Sequence, residues 1–135
     1  MKKEIINPPS QGKSVAAAPY SVAIKVTSPL SIIFLSGQTA LDNTGQVVGV
    51  GDIEAQTRQA FENLKATLAL CGASMKNVVK MNTYLTDINN LPIVRKIRKE
   101  YFDPDNPPTL GTALEIKSMS RREFLIELDV VAVTD

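Results

Sequence analysis

Two acids in the closing segment FLIELDVVAV, Glu127 and Asp129, are the residues best placed to do chemistry. Standing two apart, they share one face if the segment is a strand. A carboxylate in partly dry surroundings can hold water or move a proton close to neutral pH. Most other acid–base devices are missing. The chain has no His, so a Ser-His-Asp, Cys-His or His-metal mechanism built within it is excluded. Its one cysteine, Cys71, excludes an intrachain disulfide and a multi-cysteine zinc or iron–sulfur site. Acid–base work falls to Asp, Glu, Lys, Tyr or held water.

The strand carrying the two acids is itself informative. Phe124, Ile126, Leu128, Val130 and Ala132 point one way, an apolar set that should meet helices. Leu125, Glu127, Asp129, Val131 and Val133 point the other way, and three of these five are apolar. That second face therefore needs cover, and self-association is the simplest source of it. If Lys117 faces Glu123 across the turn SMSRR, Ala113 stands opposite Glu127 and Gly111 opposite Asp129. Small residues beside acids leave room for a polar cleft. A plainer reading pairs both acids with Lys or Arg of a neighbouring strand or subunit, and the sequence leaves both open.

The other elements follow from period and punctuation. The segment up to Pro19 is expected to wrap over the surface, with a first strand at Tyr20–Thr27. Ser31–Leu35 is a short apolar run ending in Ser36-Gly37-Gln38, and Asp42-Asn43-Thr44-Gly45 supplies a tight turn. From the cap Asp52, the residues Ile53, Thr57, Ala60, Phe61, Leu64, Leu68 and Cys71 draw one buried helical stripe, stopped at Gly72. Cys71 on that stripe reads as a small buried hydrophobe. Val78–Leu85 is a strand. Asn89 or Asn90 caps a second helix with Pro92 in its first turn and Leu91, Val94, Ile97 and Tyr101 on its inner face. Its RKIRKE run reads as a solvated face, and Asp103-Pro104 ends it. Leu110–Lys117 and Glu123–Val133 are the closing strands. The order predicts an α+β chain with a mixed sheet and two helices on one face.

At 135 residues the chain is one domain, 1–135, long enough to bury roughly two thirds of its unfolded surface. Hydrophobic residues at 44% and charged ones at 21% are ordinary for a globular protein. A net charge of +1 and the absence of Trp give no reason to expect nucleic acid as a partner. No apolar stretch reaches the length of a membrane span, and prolines and polar residues break up the start, MKKEIINPPSQGK, so no export signal is read there. With one cysteine, the expected location is cytoplasmic.

Taken in order, these segments resemble the Rid (YjgF) family of reactive-intermediate deaminases. Pro19-Tyr20 is similar to the family's G-P-Y element, and Ser36-Gly37-Gln38 followed by D-x-x-T-G to its S-G-Q segment. DIEAQTRQAFENLKATLALCGAS resembles its long helix, VVKMNTYLTDINN its strand-to-loop segment, and ALEI with LIELDVVAV its closing strands. The resemblance runs from about Tyr20 to Val133. It implies a chorismate-mutase-like (YjgF) fold and a homotrimer holding a small-molecule ligand in clefts between subunits. It also implies hydrolysis of enamines and imines from amino-acid metabolism to keto acid and ammonia, with no metal or organic cofactor.

Carried over by motif, Glu127 is the acid that holds or activates water. Tyr20, the Ser36-Gly37-Gln38 backbone, Asn89 and the strand Gly111, Thr112, Ala113 meet the ligand. One departure is plain. The family's P-x-R-x-x-V-E segment places an arginine where this chain has Gly111. Without that guanidinium a substrate α-carboxylate loses its clamp, so a different substrate, or another cation, is expected. Restoring arginine at 111 is expected to improve the handling of imino acids, provided the strand tolerates the side chain and Glu127 is otherwise in place. The alternative is a binding or regulatory trimer in which catalysis has lapsed. A ribonuclease role is attached to some relatives, but the balanced charge and missing His argue against it here.

Overall fold

The computed structural model describes residues 1–6, 22–103 and 110–135. Its strands are β1 (Lys2–Ile6), β2 (Ala23–Thr27), β3 (Ser31–Phe34), β4 (Val78–Leu85), β5 (Ala113–Glu115) and β6 (Ile126–Thr134). The helices are α1 (Ile53–Leu70) and α2 (Leu91–Tyr101), each following or preceding a short 3-10 turn near β4. The α+β class holds, with two helices over one face of a mixed sheet.

That sheet runs β3-β6-β4-β5, with β6 antiparallel to both neighbours and β5 parallel to β4. Val78–Leu85 forms the strand the sequence suggests. Two expectations fail. Lys2–Ile6, taken as surface wrapping, forms a strand against β2, with Ile5 opposite Ile24 and Glu4 opposite Lys25. Five residues carry too little alternation to announce a strand, and only the partner makes it one. The closing strands are also shorter than expected and do not pair. β4 lies between them, so Ala113 stands opposite Thr83 and Glu127 opposite Tyr84. A parallel β4–β5 pair reached through α2 has replaced the expected hairpin across SMSRR.

The core forms where helix stripes meet the inner face of the sheet. Phe61, Leu64 and Leu68 of α1, Val94 and Ile97 of α2, and Ile126, Leu128, Val130 and Ala132 of β6 are all buried together. Phe61 also stacks on Tyr101 at a centroid distance of 4.8 Å. Asp52 caps α1, its Oδ1 accepting from the Ala55 amide at 3.0 Å. Gly72, at φ +70°, takes the left-handed turn that ends the helix. Cys71 differs from expectation. It is exposed, because it stands at the cap where the chain turns away from the stripe.

Polar side chains of α1 tie the loops down. Gln56 is fully buried; its Nε2 donates to Gly49 O at 3.2 Å and Glu123 O at 2.7 Å, and its Oε1 accepts from the Leu125 amide at 2.9 Å. Asn63 Nδ2 donates to Thr39 O at 2.8 Å and Leu41 O at 2.7 Å, fixing the stretch after the S-G-Q segment. Arg58 pairs with Glu100 of α2 and with Glu54 at 3.3 Å. The Arg58 hydrogen bond holds the Glu100 carboxyl below its ordinary value, so this link stabilises above the carboxylate range and fades as pH falls through it. Being exposed, it contributes little.

Gln56→Ala should leave the Leu125 amide and the Glu123 carbonyl without their side-chain partner, while Gly49 O keeps the Asp52 amide; the loss should cost on the order of 3 kcal/mol. Urea denaturation would show a lower midpoint at unchanged slope. A midpoint equal to that of the parent chain would mean water replaces the amide.

Candidate functional site

The inner face of β6 is used up by the core, so its alternate residues Glu127 and Asp129 face away from the helices. β4 brings its own outward residues beside them, Tyr84 opposite Glu127 and Asn82 opposite Asp129. On the other side of β6 the chain leaves β3 through Ser36-Gly37-Gln38. Gln38 bonds to Leu128 in both directions, N–H to O at 2.7 Å and O from N–H at 2.9 Å. Its side chain donates to Ser36 O at 2.9 Å and accepts from Thr67 Oγ1 at 3.3 Å. These bonds fix Gly37 directly under the Glu127 carboxylate. A Cβ on Gly37 would fall 1.7 Å from Glu127 Oε1.

Gly37, Tyr84, Glu127 and Asp129 line an open cleft of about 430 Å³ together with Ile116, Ser118, Met119 and Ser120. Among the described residues the Glu127 carboxylate has neither an ion pair nor a hydrogen bond from a side chain or backbone group. Among the described residues, therefore, no Lys or Arg partner of the plainer reading pairs with Glu127, and Lys80 stands opposite Val131. Asp129 is engaged differently. Its Oδ2 accepts from Asn82 Nδ2 at 3.3 Å, while Asn82 Oδ1 accepts from the Thr112 amide at 3.1 Å. The cleft thus presents one free carboxylate, one tethered carboxylate and the residues Tyr84, Ser118 and Ser120, with no cationic side chain among the described residues that line it. Such a set can hold water and accept a proton from it.

The expected residues do not all meet. Ser36, Gly37 and Gln38 join Glu127. Gly111, Thr112 and Ala113 do not, because β4 separates their strand from β6; they line a second, smaller cavity of about 70 Å³. Asn89 is exposed in the 3-10 turn before α2, where its amide donates to Asp87 Oδ1 at 2.9 Å, and it lines neither cavity. Tyr20 lies outside the described residues. Sequence reasoning missed Tyr84 and Asn82, although alternation in VVKMNTYL already puts Lys80, Asn82 and Tyr84 on one face. It read Ser118 and Ser120 only as turn residues.

The expectation for position 111 also needs correction. A Cβ there would lie 2.0 Å from the Met81 carbonyl oxygen. Met81 N–H accepts the strand's approach by donating to Leu110 O at 2.8 Å, and Thr83 N–H does the same to Thr112 O at 2.8 Å. Bonds on both sides thus hold Gly111 against backbone. Arginine at 111 cannot simply be added.

A family model described as Endoribonuclease L-PSP matches residues 11–134. The chain belongs to that family. It is the Rid (YjgF) family of the sequence resemblance. The chain is 38% identical over 133 residues to a RutC family protein of Pyrococcus abyssi, covering 98% of each. It is 37% identical over 132 residues to the 3-aminoacrylate deaminase RutC of Acinetobacter baylyi, again covering 98% of each. Among solved structures, a Rid family protein of unknown function from Yersinia pestis superposes with a TM-score of 0.83 at 30% identity, over 98% of this chain and 99% of the other. Family membership carries the chorismate-mutase-like (YjgF) fold, which the sheet and helices described above display.

The two tight glycines should respond oppositely to Ala. At Gly37 the obstacle is the end of a flexible side chain, so Gly37→Ala should fold normally, change stability by less than about 1 kcal/mol and swing Glu127 aside. At Gly111 the obstacle is backbone, and Gly111→Ala should cost about 2 kcal/mol or more by parting β4 from residues 110–112. Thermal melts of both variants, with a crystal structure of the first, check this pair. Equal destabilisation would remove the distinction.

Proposed function

We propose that this chain is a hydrolase of imines or enamines, working without metal or organic cofactor in a cleft of a homotrimer. The observation that carries the reading is the Glu127 carboxylate, free of partners and held over Gly37 in an open polar cleft. Glu127 takes a proton from water as the oxygen adds to the C=N carbon. That proton passes to nitrogen to give a carbinolamine; the hydroxyl proton then moves through Glu127 to nitrogen as the C–N bond breaks, so that a carbonyl compound and ammonia leave, an enamine first tautomerising to its imine. The deaminase name of the Acinetobacter relative supports the reaction class, since 3-aminoacrylate is an enamine.

Position 111 has no guanidinium and no room for one, and the described residues of the cleft lining include two carboxylates and no cation. The reading therefore favours a substrate without an α-carboxylate. The same Gly111 supports a second reading, a small-ligand-binding or regulatory trimer that has given up catalysis.

A homotrimer is supported by the outward sheet face. Phe34 is 77% and Ile32 55% exposed, and with half-buried Val131 opposite Phe34 they leave an apolar strip beside the acid pair, whereas Val133 opposite Ile32 is already covered within the chain. Burial of such a strip by other copies is worth about 25 cal/mol per Å². The neighbouring copies are also the source this reading gives for the ligand contacts of Tyr20, Asn89 and residues 111–113, because one chain keeps the described ones away from Glu127. A cytoplasmic location fits the single, exposed Cys71. Among the described residues no helix is long and apolar enough to cross a membrane.

Glu127→Gln keeps the shape and removes the base, so imine hydrolysis should fall at least 100-fold with fold and assembly intact. The assay generates imines from neutral amines and from amino acids with an oxidase and times the release of ammonia. Unchanged turnover would make Glu127 structural, and no turnover in the parent chain on any imine would favour the binding trimer.

Sedimentation should give three times the 14.7 kDa of one chain at micromolar concentration, and Val131→Lys should shift it towards monomer. A parent chain that sediments as a monomer would sink the shared cleft.

A further inference from the structure

Glu127 and Asp129 line one cleft but are held in different ways, and the difference suits them to different tasks. Residue 112 is fixed to β4, since Thr83 N–H donates to Thr112 O at 2.8 Å. The Thr112 N–H in turn donates to Asn82 Oδ1 at 3.1 Å. A main-chain N–H can only donate, so this bond decides which end of the half-buried Asn82 amide faces which way. The Nδ2 end is left for Asp129, where it donates to Oδ2 at 3.3 Å. Among the described residues Asp129 Oδ1 has no partner. Asp129 is thus a carboxylate with one oxygen tied to the sheet and the other free for a ligand.

Hydrolysis of a C=N bond asks for two services. One group must take up and release protons, which the untethered Glu127 can do. Another must meet the nitrogen, which gains protons and positive charge before the C–N bond breaks. An anion already fixed in place stabilises that charge best, because it needs no reorganisation as the charge develops. Asp129 fits this second service. Alternate residues on one face of a strand stand about 6.5–7 Å apart, which leaves room for a water and a C=N group between their carboxylates. The imine, the carbinolamine and the departing ammonia all carry N–H groups, the donors a carboxylate oxygen accepts. No cation among the described residues of the lining competes for that oxygen.

We infer that Asp129 binds the reacting nitrogen and that Asn82 is a positioning residue, holding the Asp129 carboxylate for it. The inference rests on the imine or enamine hydrolysis proposed for this cleft and adds the subsite for its nitrogen. Asp129 exchanges no proton in this role; the protons move through Glu127. The cleft then favours a ligand whose nitrogen is cationic and bears N–H over a neutral ligand of the same shape.

The probes are acetamidinium and acetamide, planar molecules of one shape that differ in charge. Each is titrated into the assembled protein at low ionic strength and followed by the backbone amide shifts of residues 127–129. Acetamidinium should bind about 10-fold or more tightly than acetamide. Asp129→Asn should reduce that preference to about 2-fold or less, whereas Glu127→Gln should keep most of it. Asn82→Ala should weaken acetamidinium about 5-fold and leave acetamide unchanged, whereas a merely structural defect would weaken both alike. Equal binding of the two probes, or a preference that survives Asp129→Asn, would overturn the assignment of the nitrogen to Asp129. Asn82→Ala that keeps the full preference, or loses both probes alike, would overturn the positioning role. Imine turnover without the preference would sink this inference alone. A preference that follows Asp129 in a chain that turns over no imine would support the nitrogen subsite and sink the hydrolase reading.

Discussion

The alternation of β6 is the constraint on which the rest of the molecule depends. Its residues Ile126, Leu128, Val130 and Ala132 are all buried to within about 1%, sealed under α1. Each large one contributes about 1.5–3 kcal/mol by leaving water. A slip of one residue against β4 would expose this set and carry Glu127 and Asp129 into the core, at several kcal/mol per unpaired carboxylate. Both terms oppose the slip, so the acids are fixed outward by what the other face buries. Gln56 holds the entrance of the strand, and Gln38 pairs with its middle at Leu128. The register that places Glu127 is therefore fixed by groups that never touch a ligand.

Two glycines show how the same residue type does different work in that frame. Gly37 gives the Glu127 carboxylate a place to lie, and what a side chain there would meet can move. Gly111 lets its strand close against the Met81 carbonyl, and what a side chain there would meet is main chain held by hydrogen bonds on both sides. The first glycine shapes the site. The second shapes the sheet, letting its strand close against β4.

Much of this was legible in the sequence because it is governed by local periodicity. The period of 3.6 gave α1 and α2 to within a residue or two, Asp52 and Gly72 marked the ends of α1, and period 2 sorted the two faces of β6. What was not legible depends on partners far along the chain. β1 exists only through β2, and the place of β5 beside β4 instead of β6 is a choice of topology that neither strand's residues encode. The false hairpin then put Gly111 and Ala113 beside the acids and hid Asn82 and Tyr84, which the true neighbour brings. Cys71 failed for a local reason: the stripe continued on paper one step beyond the point where the helix turns.

The sheet ends up separating charge. Glu127 and Asp129 face one side with no cation among the described residues of their cleft, and Arg95 and Arg98 wall a cavity on the other. Attraction between the two groups is weakened by distance and by the intervening layer, so neither neutralises the other as a contact pair would. One hydrogen-bonded path crosses between them, from the Thr112 amide through the Asn82 side chain to Asp129. Asn82 can serve both because its amide offers an acceptor to one and a donor to the other. Glu127 has no such tether. Of the two acids, it is the one left able to change partners, which the proposed role of proton carrier requires.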